Sequence, residues 1–218
     1  MKISTDAVVL GALAGKISPR SILDIGVGTG VISMMLAQRF TDAKIEGVEL
    51  DSDAYLQACE NVYESIFSDR ISFHHGLFQD FASVHNSRFD LIVSNPPYFP
   101  DHIKAKDLQR NKALHNDSLS FQDLAGGVAQ LLEKNGEFWL ILPPRQMVDF
   151  QELGQGFDLY PFKQINLRDK ASSKVIRSIQ GFSFGQKVAE TKELYIKNED
   201  GSFAKPYQKL LKDFLIIF

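Results

Sequence analysis

"LDIGVGTGVIS", residues 23–33, ends a short apolar run in three glycines at alternate positions and then turns apolar again. The residues leading in, "SILDIG" (21–26), read as a strand, and those leading out, "GVISMMLAQRF" (30–40), as a helix with an apolar face. Gly26, Gly28 and Gly30 let the backbone between them take positive φ and approach a ligand closely. Outward from this unit the alternation continues. "AKIEGVEL" (43–50) is a second strand, and "DSDAYLQACENVYESIF" (51–67) is a helix with acids in its first turn. "RISFHHG" (70–76) and "FDLIVSN" (89–95) are strands, and "LSFQDLAGGVAQLLEKNG" (119–136) is a helix closed by Asn-Gly. "EFWLILP" (137–143) is strand five, with a helix across 145–154. Strand and helix in turn predict a parallel α/β sheet covered on both faces.

The pattern then changes. "KVIRSIQGFSFG" (174–185) and "ETKELYIKN" (190–198) lie close together and read as a hairpin at the sheet's edge. "YQKLLKDFLIIF" (207–218) reads as a closing helix whose apolar end is docked. No repeat, low-complexity tract or linker-like composition shift divides the chain, so residues 1–218 are expected to form one domain.

The 218 residues, 44% of them hydrophobic, are enough for one well-filled core. The net charge of -3 excludes a uniformly basic coat for nucleic acid but leaves room for a local one. Residues 42–90 hold ten acids and three basic residues, whereas 163–177 hold five basic residues and one acid, which suggests two faces with different partners. The single cysteine, Cys59, excludes a disulfide framework and a cysteine-based zinc site. No apolar run is long enough to span a membrane and no secretory signal is visible, so a cytoplasmic location is expected. His74 and His75 are adjacent in a strand and point to opposite faces, and nothing else has ligand spacing, so no metal is expected.

Two acids frame the glycine turn: Asp24 precedes it, and Glu49 ends the second strand. A dinucleotide fingerprint needs G-x-G-x-x-G with a helix N-terminus aimed at a pyrophosphate. Here the third glycine comes one place early, and an acid at the mouth repels phosphate. A carboxylate where Glu49 stands accepts ribose hydroxyls. Together these suit a nucleoside with positive charge and no phosphate, a description met by S-adenosyl-L-methionine. Packing alone would account for the glycines but not for the acids.

"LIVSNPPYFP" (91–100) begins as a buried strand and ends in Asn95, two prolines and two aromatics. Proline cannot donate to a sheet ladder, so the strand stops there, and each residue before a proline is held extended. An exocyclic amine on an aromatic ring is a poor nucleophile, because its lone pair is delocalised into the ring. The Asn95 side-chain oxygen and the Pro96 carbonyl are two acceptors that together would bias such a nitrogen toward tetrahedral geometry. The two prolines, Pro96 and Pro97, fix this pair before substrate arrives, and Tyr98 is placed to stack on an unstacked base.

"DIGVGTG", "GVELD" and "SNPPYF", in that order, resemble the class I, Rossmann-like S-adenosylmethionine-dependent methyltransferases, in their amino-methylating branch with an N-P-P-Y loop. The resemblance implies a seven-stranded, mostly parallel sheet with an antiparallel last strand. It implies cofactor contacts from Asp24, from Gly26, Val27, Gly28 and Gly30, from Glu49 and Leu50, and from Leu77, Phe78 and Asn95. Thr5 and Asp6, on an N-terminal helix, would touch the cofactor's amino-acid end, with a capping role as the equal alternative. Many relatives carry an acid where this chain has Leu77, so the adenine amine here would rely on backbone groups or another polar partner.

"MKISTDAVVLGALA", "QRNKALHNDSLSFQDL" and the tail resemble the bacterial valine-tRNA adenine-N6 methyltransferases, which act on the adenosine at position 37 beside the anticodon. That resemblance implies tRNA as partner, through its anticodon loop. The same four-residue loop also serves amines of ribosomal RNA and of protein glutamine, which stay open as alternatives. A scaffold that binds cofactor without catalysis would have no use for the Asn95 loop. An RNA partner needs its phosphates neutralised. The candidates are Lys104, Lys106, Arg110 and Lys112 beyond the loop, and Lys163, Arg168, Lys170, Lys174 and Arg177 near the hairpin.

Overall fold

The computed structural model describes residues 4–15, 18–97 and 119–216. Its centre is one eight-stranded sheet, built in chain order from β1 (Ser21–Ile25), β2 (Lys44–Glu49), β3 (Ile71–His75), β4 (Phe89–Ser94), β5 (Leu132–Leu142), β6 (Leu159–Arg168), β7 (Val175–Phe184) and β8 (Glu190–Tyr195). The spatial order is β3-β2-β1-β4-β5-β7-β6-β8. Strands β1 to β5 pair in parallel, and β7 is antiparallel to both of its neighbours. The expected architecture is present, with eight strands rather than seven: β8 adds an edge, parallel to β6.

Helices cover both faces. On one side lie α1 (Thr5–Leu13), α2 (Val31–Arg39), α3 (Ser52–Tyr63) and α7 (Lys205–Leu211), packed on residues such as Leu10, Leu36, Val93 and Trp139. On the other lie α4 (Phe78–Val84), α5 (Phe121–Leu131) and α6 (Pro144–Gly154), around Phe81, Leu124, Phe150 and Phe182. Helix starts follow the local sequence. The side chains of Ser4, Asp51 and Ser120 accept from the backbone N–H groups of Ala7, Ala54 and Asp123 at 3.2, 2.8 and 3.1 Å, filling donors that a helix start leaves open. The C-terminus of α1 is closed from outside: Arg39 donates to the carbonyls of Gly11, Ala14 and Gly15. Among the described residues no helix is long and apolar enough to cross a membrane.

Three sequence expectations are corrected. The hairpin is formed by β6 and β7, not by 174–185 with 190–198, because the latter run pairs in parallel with β6. Strand β6 escapes a periodicity reading because "LYPFKQINLR" mixes Pro161 and polar residues; the proline sits at a register shift, where the ladder asks for no donor. Helix 119–136 stops at Leu131, and β5 starts at Leu132, so Asn135 and Gly136 belong to an irregular stretch opposite Phe89–Leu91. The closing helix likewise spans only Lys205–Leu211.

Parallel strands bring the carboxyl ends of β1, β2 and β4 to one edge, and chain order reverses between β1 and β4, where ligands of such sheets bind. Gly47 supports that edge from below: a methyl there would meet Val27 Cγ2 at 2.4 Å and the Phe73 ring at 2.8 Å. Gly47→Ala is therefore expected to lower stability by about 1–3 kcal/mol, read as a shift in the urea midpoint.

Candidate active site

The turn after β1 is pinned to β2: the N–H groups of Gly26 and Val27 donate to the Val48 carbonyl at 2.9 and 3.3 Å. Gly26 has φ +78° and Gly28 φ +58°, backbone that side-chain-bearing residues rarely adopt. A Cβ added at Gly26 would meet nothing within 4 Å, so the turn presents bare backbone to open space. Gly30 is the N-cap of α2 and supplies no side-chain cap.

Glu49 fastens the other side of this mouth. Its Oε2 accepts from the Gly28 N–H at 2.8 Å, and its Oε1 from the Asp51 N–H at 2.9 Å. Each carboxylate oxygen keeps further acceptor capacity. Leu50, next in the chain, is exposed. Asp24 is different, being fully buried. Its Oδ2 accepts from the Ser33 hydroxyl at 2.7 Å, while its Oδ1 has no hydrogen-bond partner. Burial, with the nearby Glu49 charge adding to it, pushes the Asp24 carboxyl up to about 7, and the Ser33 bond only partly offsets this.

Asn95 enters from β4. Ser94 is paired with Ile25 in the ladder, and its buried hydroxyl donates to the Ile25 carbonyl at 2.9 Å. The next residue on each strand is Asn95 and Gly26, so the amide loop leaves the sheet beside the glycine turn. Asn95 is half-buried, Pro96 buried and Pro97 exposed. Tyr98 lies outside the described residues, as do Lys104, Lys106, Arg110 and Lys112.

The turn after β3 closes the far side, with the Gly76 N–H bonded to the Glu49 carbonyl at 2.9 Å. Leu77 is the N-cap of α4 without a side-chain bond, and the Phe78 ring is buried against Gly127 of α5, so neither side chain offers the mouth a polar group. His75 lies here with its Nε2 3.1 Å from the Leu50 carbonyl, stacked on Tyr55 with ring centroids 5.2 Å apart. Sequence reasoning passed over His75, Tyr55, Ser33 and Ser94 as site residues. Only Ser33 and Ser94 left a trace, as hydroxyls at positions that the apolar periodicity marks as buried.

Thr5 opens onto a cleft of about 430 Å³ that it lines with Val8, Asp169, Lys197, Phe203 and Tyr207, and no glycine-turn residue lines that cleft. Asp6 is ion-paired with Arg177 at 2.7 Å. The other basic candidates differ in availability. Arg168 is bonded to Glu193 at 2.7 Å and to the Ser173 carbonyl, and Lys170 to the Glu199 carbonyl at 3.1 Å. Lys163 lies 5.8 Å from the centroid of the Trp139 ring, whereas Lys174 is exposed. Among the described residues no group of three His, Cys, Asp or Glu side chains is arranged to hold a metal ion.

The methyltransferase small domain family matches residues 5–159. The chain is 38% identical over 218 residues to a Pedobacter heparinus protein named tRNA1(Val) (adenine(37)-N6)-methyltransferase, covering all of this chain and 92% of that one. A Proteus mirabilis protein of the same name is 36% identical over 225 residues, covering 100% and 88%. Among solved structures, a predicted O-methyltransferase, protein Atu636 from Agrobacterium tumefaciens, is similar with TM-score 0.75 and 17% identity over 95% of this chain and 96% of that one. The glycopeptide N-methyltransferase MtfA complexed with (S)-adenosyl-L-methionine gives TM-score 0.59 at 12% identity, over 84% and 100%. These structural likenesses concern the fold.

Proposed function

The chain belongs to the methyltransferase small domain family, and from that premise we propose that it transfers a methyl group from S-adenosyl-L-methionine to the N6 amine of an adenosine in tRNA, the adenosine at position 37 of tRNA1(Val). The reaction is placed in the cytoplasm, with residues 1–218 working as one catalytic domain.

The residues at the mouth fit that cofactor. Bare backbone at Gly26 admits a ligand, Glu49 keeps acceptor capacity for ribose hydroxyls, and Asp24 carries an acceptor that the fold leaves unused. Bound there, S-adenosyl-L-methionine supplies an electrophilic methyl on a sulfonium. Gly26, Val27, Gly28 and Gly30 would line its amino-acid and ribose portions, with Leu50, Leu77 and Phe78 toward the adenine. Since Phe78 is committed to the core, backbone groups of this turn and the His75–Tyr55 pair are the polar and flat surfaces left for the adenine.

The observation that carries the reading is the Ser94–Ile25 bond within the β1–β4 ladder, which sets Asn95 and Pro96 beside the glycine turn. From there the Asn95 side-chain oxygen and the Pro96 carbonyl would accept both amino hydrogens of the base and aim the nitrogen lone pair at the methyl. Pro97 stiffens the loop, and Tyr98 would stack on the flipped base. No strong base is needed, because the methylated ammonium loses its proton readily. The test is incubation of the purified chain and labelled cofactor with total tRNA, ribosomal RNA and a release factor. Label in tRNA at adenosine 37 is expected; label only in protein would defeat the assignment.

The anticodon loop would be met by the basic residues of the β6–β7 rim, with Lys163, Arg168, Lys170, Lys174 and Arg177 as candidates and Lys104, Lys106, Arg110 and Lys112 beyond the Asn95 loop. Lys174 is the exposed member of the described set, while Arg168 and Arg177 are held in ion pairs. Lys174→Glu is therefore expected to weaken tRNA binding about 3–10-fold. The slope of log affinity against log salt should fall by about 0.7–0.9, as for one lost phosphate contact. A salt titration of tRNA binding reads both.

A further inference from the structure

Asp24 has one carboxylate oxygen that the fold does not use. Its side chain is fully buried, its hydrogen bonding comes from Ser33, and Oδ1 has no partner. A buried carboxylate in that state is unfavourable, and it is relieved either by keeping a proton or by gaining a cation. The charges on the surrounding elements do not supply one. Strand β2 brings Glu49, of like sign, with Lys44 at its opposite end. The charged residue of α2 is Arg39, which is spent on the C-terminus of α1. Strand β4 carries Asp90 at its start, accepting from the N–H groups of Arg20 and Ser21. Helix α1 carries Asp6, paired with Arg177.

We propose that Asp24 makes cofactor binding proton-linked: it holds a proton in the ligand-free protein and gives it up to solvent when the cationic amino-acid end of the S-adenosyl cofactor docks at the glycine turn. The step balances simply. The carboxyl O–H bond breaks, its electron pair stays on the carboxylate, the proton goes to buffer, and the ligand's positive charge takes the proton's place. This rests on the glycine turn being the cofactor site. The group is poised for it, since burial brings its titration to about 7, where both forms are populated at neutral pH.

The experiment is calorimetric titration of the full chain with S-adenosylhomocysteine at pH 7 in phosphate, HEPES and Tris, whose ionisation enthalpies differ. The slope of observed enthalpy against buffer enthalpy counts the protons released. About half a proton per site is expected at pH 7, with affinity rising as pH goes from 6 to 8. Asp24→Asn should bring the slope to zero. Ser33→Ala removes a donor that favours the anion and should move the release midpoint to higher pH. A flat slope for the unaltered chain between pH 6 and 8, with normal binding, overturns the proton link alone. The same slope in Asp24→Asn as in the unaltered chain also overturns it. Absence of any binding overturns the cofactor reading and the proposal together.

Discussion

Asn95→Ala is expected to cut methyl transfer about 10²–10³-fold, the cost of losing one preorganised polar contact to a reacting group, with S-adenosylhomocysteine affinity nearly unchanged. The split follows from where Asn95 stands. The other cofactor contacts at the mouth are assigned to β1, β2 and the turn after β3, and Asn95, which follows β4 and is aligned by the Ser94–Ile25 bond, is one contact among several. The alanine variant keeps that bond, keeps the Pro96 carbonyl and keeps both prolines, so the loop's course should persist. What it loses is one of two acceptors for the amine, and a delocalised nitrogen held by one hydrogen bond stays close to planar. Single-turnover transfer and equilibrium dialysis separate the two quantities. Turnover at the unaltered rate would reject the amine-clamp mechanism.

Glu49→Ala should act on the opposite half of the site. Its carboxylate accepts from Gly28 and Asp51 at 2.8 and 2.9 Å, so the variant unties the glycine turn from the end of β2 and removes the ribose acceptor at once. Hydrogen bonds to charged groups contribute about 1.5–3 kcal/mol, which corresponds to about 10–10²-fold weaker cofactor binding. At saturating cofactor the transfer rate should fall much less, since Asn95 is untouched. A second effect has a definite sign. Glu49 raises the Asp24 titration through like charge, so its removal should move proton release to lower pH. Calorimetry of the variant checks affinity and proton count in the same titrations.

Much of this was legible in the chain because it is local. The strand-turn-helix at 21–40, the helix with acids in its first turn from residue 51 and the proline stop after β4 each depend on residues a few positions apart. Strand β6 and the partner of β8 were not, because they depend on pairing between distant segments. Arg168 meets Tyr195 in the ladder and Glu193 through its side chain, a match that no window of sequence contains. Thr5 shows the same limit: its helix was anticipated, but the cleft it lines is bounded by segments from the other end of the chain.

The amino-acid sequence on its own determined the alternating α/β order, the glycine turn with its two acids and the Asn-Pro-Pro corner, because glycine, proline and apolar periodicity act through the backbone of their own neighbourhood. Tertiary structure alone decided that Asp24 is sealed from solvent with an unused oxygen, that Glu49 ties Gly28 rather than standing free, and that Ser94 reaches Ile25. Desolvation and strand-to-strand hydrogen bonding depend on what packs against a residue, and that is settled only when the sheet closes.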